Sequence, residues 1–428
     1  MNKRANDPTR CEPHQRAVIT GMGAITPVGN TVVETWEALK AGRSGIKRVT
    51  LMDVSPWPCQ IAGELKGFDA DQFVPRKKGR YMTLATKLAV IAAGQALEDS
   101  GLDLEQEERD RIGVLIGTAG ATIVEETEQA VARLMERRTQ RSSPFQIVRM
   151  WSNMPAHSIA EAYQLRGYSG TVCTACASAT QAIGEAAEVI RRGAAEVMIT
   201  GGTESIISKT VLAAFTAMHA LATHYNDDPE HAMRPFDANR EGFVPAQGSA
   251  VLILESLAHA QARGAHIHAE VLGYGVSNDA YHIIVPDPEG TGAALAVSRA
   301  LESAGVGIEA VDYINAHGTA TPLGDAAETK AIKVAFGRRA YDIPISSTKS
   351  MIGHMMGATG AVEALVCVMS IQEGIIHPTI NYETPDPDCD LDYVPNQARR
   401  VKVEVAVSNS FGLGGQNAVL VLGANGLM

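Results

Sequence analysis

Aromatic residues are scarce, with Phe, Tyr and Trp together making up 5% of the 428 residues. Small side chains must therefore do much of the packing, and the 40 glycines allow helices and sheets to approach closely. Long apolar runs are missing as well. No stretch approaches the roughly 18 apolar residues that a membrane-spanning helix needs. Basic residues are in the minority, 37 Lys and Arg against 48 Asp and Glu, for a net charge of −11. That balance argues against a nucleic-acid surface and requires any acidic partner to dock on a local basic patch. Six cysteines in so long a chain do not make a disulfide framework. Residues 1–15 are polar and include Asp7 and Glu12, without the apolar core of a signal peptide or the acid-poor pattern of a transit peptide. The expectation is a cytoplasmic protein with a short disordered leader, 1–15.

What the chain does contain is alternation. Short apolar runs at Ala17–Thr20, Val114–Ile116, Val197–Thr200 and Val251–Leu254 read as buried strands. Helical patterns such as Leu84–Leu97 and Ala177–Arg192 lie between them, which predicts α/β layers. The two halves also echo each other. Ala96-Leu97-Glu98-Asp99-Ser100-Gly101 leads into a strand ending Ile116-Gly117-Thr118-Ala119, and Ala300-Leu301-Glu302-Ser303-Ala304-Gly305 into one ending Ala316-His317-Gly318-Thr319-Ala320. Each half opens on a strand followed by Gly-X-Gly, at Gly21-Met22-Gly23 and Gly273-Tyr274-Gly275. The reading is two similar α/β halves, 16–262 and 263–428, packed face to face.

Chemistry concentrates in three places. Thr171 to Thr180 passes from a β-like stretch into a helix, placing Cys176 at a helix N-terminus where backbone N–H groups and the dipole favour a thiolate. A small buried hydrophobe is one alternative for this cysteine. Cys173-Thr174-Ala175-Cys176 is also a C-x-x-C spacing, open to a dithiol reading. Zinc is disfavoured, because no second close Cys/His pair completes a tetrahedral set, so no metal is expected. His317 follows the apolar strand Val311–Ile314, and His354 follows a second strand and precedes the helical stretch Gly357–Gln372. One Cys with one His suits hydrolysis. Two neutral imidazoles suit a different demand, hydrogen bonding to the oxygen of an enolate formed when a malonyl thioester loses CO2.

At these residues the chain resembles the elongating β-ketoacyl-acyl carrier protein synthases of the thiolase superfamily, from Arg16 to Gly423. The resemblance is carried by Thr174-Ala175-Cys176-Ala177-Ser178, Asn315-Ala316-His317-Gly318-Thr319, Lys349-Ser350-Met351-Ile352-Gly353-His354 and Asn409-Ser410-Phe411-Gly412-Leu413-Gly414-Gly415. It implies a thiolase-like layered α-β-α-β-α fold and a homodimer, or a heterodimer in a polyketide pathway. It also implies an acyl group taken from acyl carrier protein onto Cys176 and condensed with malonyl-acyl carrier protein, in fatty acid chain elongation. No resident cofactor is implied, since the carrier brings its own phosphopantetheine. His317 and His354 would assist decarboxylation, with Lys349 and Glu363 supporting them. The N–H groups of Cys176 and Phe411 would form an oxyanion hole, and the Phe411 ring a gate. Thr319 and Thr321 match contacts to the pantetheine arm, Asp279 and His282 a pair handling water or bicarbonate, and Ile116 and Phe215 the acyl pocket.

Departures from the family pattern fall at Gln247, Ile284, Leu413, Gln416 and His219, the last standing where an arginine often contacts the carrier. They bear on chain preference and pathway, and remove no catalytic group. The rivals are a ketosynthase of a type II polyketide or other specialised pathway, and a non-catalytic chain-length subunit. For carrier docking the densest basic cluster is Arg76-Lys77-Lys78-Gly79-Arg80, expected in an exposed loop before a helix beginning near Thr83.

Overall fold

A computed structural model describes residue 12, residues 15–137 and residues 143–427. The expected leader therefore lies, apart from Glu12 and Gln15, outside the described residues. Ten strands form the main sheet: β1 (Ala17–Ile25), β2 (Ile112–Gly117), β3 (Ser169–Val172), β4 (Val197–Ser205), β5 (Gln247–Ser256), β6 (Ala269–Asn278), β7 (Tyr313–Asn315), β8 (Ile345–Ser346), β9 (Val405–Gly412) and β10 (Gln416–Gly423). Their order is β8-β7-β9-β10-β6-β1-β5-β4-β2-β3. Adding five to each strand of the first half reproduces the second half in mirror order, so the duplication legible in the sequence is a duplication of topology. In both halves the two strands after the hairpin partner pair in parallel, β2 with β4 and β3, β7 with β9 and β8. The halves join where Ala17–Ile19 runs antiparallel to Ala269–Val271.

Six helices set the layers: α1 (Leu84–Ser100), α2 (Met154–Tyr163), α3 (Ser178–Arg191), α4 (Thr291–Ala304), α5 (Pro322–Phe336) and α6 (Thr359–Glu373). Strand alternation decides which layer each apolar side chain enters. Leu252 and Leu254 of β5 and Leu420 and Leu422 of β10 pack with α3 and α6 in one central core. Val251 and Ile253 turn the other way, toward α1 and α2. Val419 and Val421 likewise face α4 and α5. The result is helix, sheet, helix, sheet, helix, folded from a continuous sheet.

The Gly-X-Gly pairs explain how α1 and α4 sit so close to their strands. A Cβ on Gly23 would lie 2.1 Å from the Ala92 carbonyl oxygen, and one on Gly275 2.3 Å from that of Ala296. Both helices end in left-handed glycines, Gly101 and Gly305, which let the chain turn into the next strand.

Candidate active site

Cys176 sits on the one-turn 3-10 helix Ala175–Ala177 between β3 and α3. Ala175 is left-handed (φ 49°), a conformation costing about 1–2 kcal/mol for an L-residue. Ser178 staples the turn, accepting from the Thr174 N–H (2.9 Å) and donating to the Ala175 carbonyl (2.6 Å). The sulfur is thereby turned inward, 3.1 Å from His354 Nε2 and 3.7 Å from Met356 Sδ.

The thiolate expected at this helix terminus is a thiol at rest. Burial pushes Cys176 up to about 11, and the charge of Lys349 and the N–H groups of Leu413 and Cys176 offset it only partly. Desolvation outweighs the dipole because the sulfur lies inside the protein. The dithiol reading also fails, since Cys173 is exposed while the buried Cys176 sulfur is engaged by His354 and Met356.

His354 follows the left-handed Gly353 and is tied by its N–H to Val244 O (2.8 Å). Its Nδ1 is 3.0 Å from the Thr359 hydroxyl at the start of α6. We assign that hydroxyl as donor, which leaves the ring hydrogen on Nε2, pointing at Cys176. His317 lies two residues past β7. Its N–H and that of Gly318 donate to the Glu328 carboxylate (2.8 and 2.7 Å), while its carbonyl accepts from Lys349 Nζ (2.5 Å). The two imidazoles meet edge to face, centroids 5.6 Å apart at 83°. The sulfur and a ring nitrogen from each histidine all lie within 4.8 Å of one another. Burial, followed by the charge of Lys349, holds both imidazoles well below the usual histidine range. They are neutral hydrogen-bond donors at neutral pH.

Lys349 and Glu363 pair at 2.5 Å, both fully buried behind the histidines. Burial raises Glu363 to about 7 against the pull of Lys349. Burial also raises Glu328, opposed by the Gly318 and His317 N–H groups.

The three reactive groups open into a cavity of about 380 Å³ whose wall includes Thr319, Thr321, Phe411, Phe215 and Asp279. The Thr319 and Thr321 hydroxyls are 3.0 Å apart, and the Phe411 ring is 5.8 Å from that of His317. Phe215 stacks edge-on against Phe243, which packs in the same way on His354. Asp279 is occupied, accepting from Asn417 Nδ2 (2.7 Å) and the Asp287 N–H (3.2 Å). The backbone N–H groups that reach the sulfur are those of Cys176 and Leu413.

Three further expectations differ from the structure. Ile116 is fully buried on the outer face of β2 with Val114 and Ile199, and does not line the cavity, because strand alternation points it at α1 and α2. His282 sits in an exposed turn, where its Nδ1 accepts the N–H groups of Ile284 and Val285 (3.1 Å each), so it is not joined to Asp279 at the cavity. The basic cluster is one turn of helix, Arg76–Gly79, started by Pro75, and not a loop. Arg76, Lys77 and Arg80 are exposed, and Lys78 lies 3.2 Å from Glu161. Of the departures, His219, Ile284 and Leu413 face the cavity, Gln247 is buried in β5, and Gln416 is exposed.

Glu328, Thr359 and Met356 were not singled out from the sequence. Asp325 and Glu328, one helical turn apart among alanines of α5, carried a usable signal, because an amphipathic helix seldom points two acids toward its alanine face.

The chain is similar to known proteins over most of its length. Residues 14–260 match the Beta-ketoacyl synthase N-terminal domain and residues 268–383 the C-terminal domain. A 3-oxoacyl-[acyl-carrier-protein] synthase 2 of Synechocystis sp. is 48% identical over 95% of this chain and 97% of its own. The protein of that name from Staphylococcus aureus (strain COL) is 46% identical over 95% and 98%. Among solved structures, a beta-ketoacyl synthase from Burkholderia phymatum superposes with TM-score 0.88 at 36% identity, covering 96% of this chain and 99% of that one. A type II PKS ketosynthase, solved with its acyl-carrier protein and bound to the hexaketide, gives TM-score 0.87 at 33% identity with the same coverage. Two ordered domain matches over one thiolase-like fold place the chain in the β-ketoacyl synthase family.

Proposed function

We propose that this chain is an elongating 3-oxoacyl-[acyl-carrier-protein] synthase that condenses a Cys176-bound acyl group with malonyl-acyl carrier protein. The observation that supports it most is the neutral His354 Nε2 at 3.1 Å from the sulfur, with His317 edge-on beside it. In loading, the Cys176 sulfur bonds the acyl carbon, the carrier's thioester bond breaks, and the Cys176 proton passes to the departing pantetheine sulfur. The malonyl thioester then binds, and its carbonyl oxygen takes hydrogen bonds from the two imidazoles. As CO2 leaves, they stabilise the enolate oxygen without transferring a proton. The carbanion attacks the acyl carbonyl, Cys176 leaves, and the sulfur regains a proton from water.

Phosphopantetheine arrives on the carrier and passes Thr319 and Thr321, and the protein holds no cofactor of its own. The carrier docks on Arg76, Lys77, Lys78 and Arg80. A second copy of the chain covers the apolar side chains of helix Ala121–Arg137 and of the short helix Gln146–Met150 with Trp151, where Val131, Met135, Ile147 and Trp151 are exposed. Among the described residues no helix is long and apolar enough to cross a membrane. Action in the cytoplasm is part of the proposal. The specialised-pathway reading rests on the cavity departures at His219, Ile284 and Leu413. A non-catalytic role conflicts with the assembled Cys176, His317 and His354.

Cys176→Gln tests the assignment, since its amide resembles the acylated thiol. Condensation should vanish while malonyl-carrier decarboxylation persists. Loss of both together would contradict the division of labour between sulfur and histidines.

A further inference from the structure

The contact between Cys176 and Met356 has no part in the steps above. Met356 is buried, lines the cavity, and holds its Sδ 3.7 Å from the reactive sulfur. Its backbone is left-handed (φ 43°), on the turn Met356–Ala358. That turn is pinned from behind: a Cβ on Gly357 would lie 2.2 Å from the Ala119 nitrogen, so the chain cannot relax in that direction. The strained backbone aims an unbranched thioether at the nucleophile.

Donors and acceptors around the sulfur assign that thioether a task. With Thr359 donating to Nδ1, His354 Nε2–H donates to the sulfur. The N–H groups of Leu413 and Cys176 are donors as well. The thiol's own hydrogen needs an acceptor, and Met356 Sδ supplies one.

We propose that Met356 is a positioning residue: its thioether accepts the resting Cys176 S–H and is released, as a movable wall of the acyl space, when acylation removes that hydrogen. This rests on Cys176 being the acyl attachment point. Loading replaces the S–H bond with an S–C bond, and the proton leaves on the carrier's thiol. Two sulfurs without a shared hydrogen then face each other, and the flexible methionine moves. The acyl chain's first carbons take the space beside it.

Two measurements on the full chain test this. The first is the pH profile of Cys176 alkylation by iodoacetamide in wild type and Met356→Leu, which keeps the volume and removes the acceptor. The other titratable and charged groups around the sulfur are His317, His354, Lys349, Glu363 and Glu328, and all are unchanged in the variant. Losing a weak acceptor should speed alkylation about twofold at pH 8 and move the midpoint downward. The second follows the Met356 ε-methyl resonance in 13C-methionine-labelled wild type, assigned by its loss in the variant. It should shift on alkylation and again on loading from octanoyl-carrier protein. Superimposable alkylation profiles, or a methyl unmoved by alkylation, would overturn the contact. A methyl that moves with iodoacetamide, beside an unchanged protein mass and methyl with the acyl carrier, overturns release on acylation and the attachment reading, while the contact itself stands.

Discussion

Lys349 touches no reacting atom in the proposed cycle, yet it acts on both histidines through its charge and on His317 through a hydrogen bond to the carbonyl. Lys349→Met leaves Glu363 buried without its partner and should cost about 3–5 kcal/mol, much of it recovered in Lys349→Met/Glu363→Leu. Thermal or urea unfolding checks that order. The double variant should also show a changed pH profile. Without the lysine charge the histidine pKa values rise toward the ordinary range, so decarboxylation should fail at a higher pH on the acid side than in wild type. An unshifted acid limb would mean that Lys349 is only structural. His317→Ala and His354→Ala should each slow malonyl decarboxylation by about 10²-fold or more, the cost of a lost oxyanion donor. At least one of them should load acyl groups at a rate nearer to wild type, and wild-type decarboxylation in both would contradict their role. Cys176, His317 and His354 were legible because their neighbours are small and their strand-end contexts alike. Met356 and Thr359 were not, because a methionine and a threonine in an apolar helix start read as packing until their distances to sulfur and ring are known.

Elements were more legible than their ends. The strand expected at Ala17–Thr20 runs on through Gly21-Met22-Gly23 to Ile25, because those glycines, which weaken a strand by propensity, are what the overlying helix requires. The strand expected at Val311–Ile314 is Tyr313–Asn315, as Asp312 instead fastens the incoming strand, accepting from the N–H groups of Glu404 (2.7 Å) and Val405 (3.1 Å). Gly23→Ala and Gly275→Ala should therefore each destabilise the fold by about 3 kcal/mol or more, an overpacking cost the backbone oxygens cannot relieve. Circular dichroism melts of both variants check the equivalence of the halves, and a silent Gly275→Ala would break it. Below the sheet, His259 bridges Glu255 (2.6 Å) and Glu107 (3.0 Å). The Glu255 hydrogen bond, against burial, raises His259 above its usual range. A raised histidine contributes stability that is complete below the unfolded value near 6.5 and lost as pH climbs through the folded value. His259→Gln should thus lower Tm more at pH 6 than at pH 9, and an equal loss at both would leave the charge without a role.

At the scale of the molecule, a chain carrying −11 repels an acidic partner at long range, so the proposed docking depends on the local charge of the basic cluster. Lys77→Glu/Lys78→Glu should raise the apparent KM for the carrier and flatten its salt dependence, while a small pantetheine thioester reacts as before. Equal loss with both substrates would assign the patch a structural role. The duplication of the halves was anticipated from sequence echoes, but the strand order and its continuity across β1 and β6 were not, because pairing between halves depends on twist and edge position more than on local composition. The most direct measurement of the whole account is intact-mass analysis after incubation with a panel of acyl-carrier proteins, followed by peptide mapping. The account predicts a single added acyl group on Cys176 in wild type and none in Cys176→Ala. An acylated Cys176→Ala protein would contradict it.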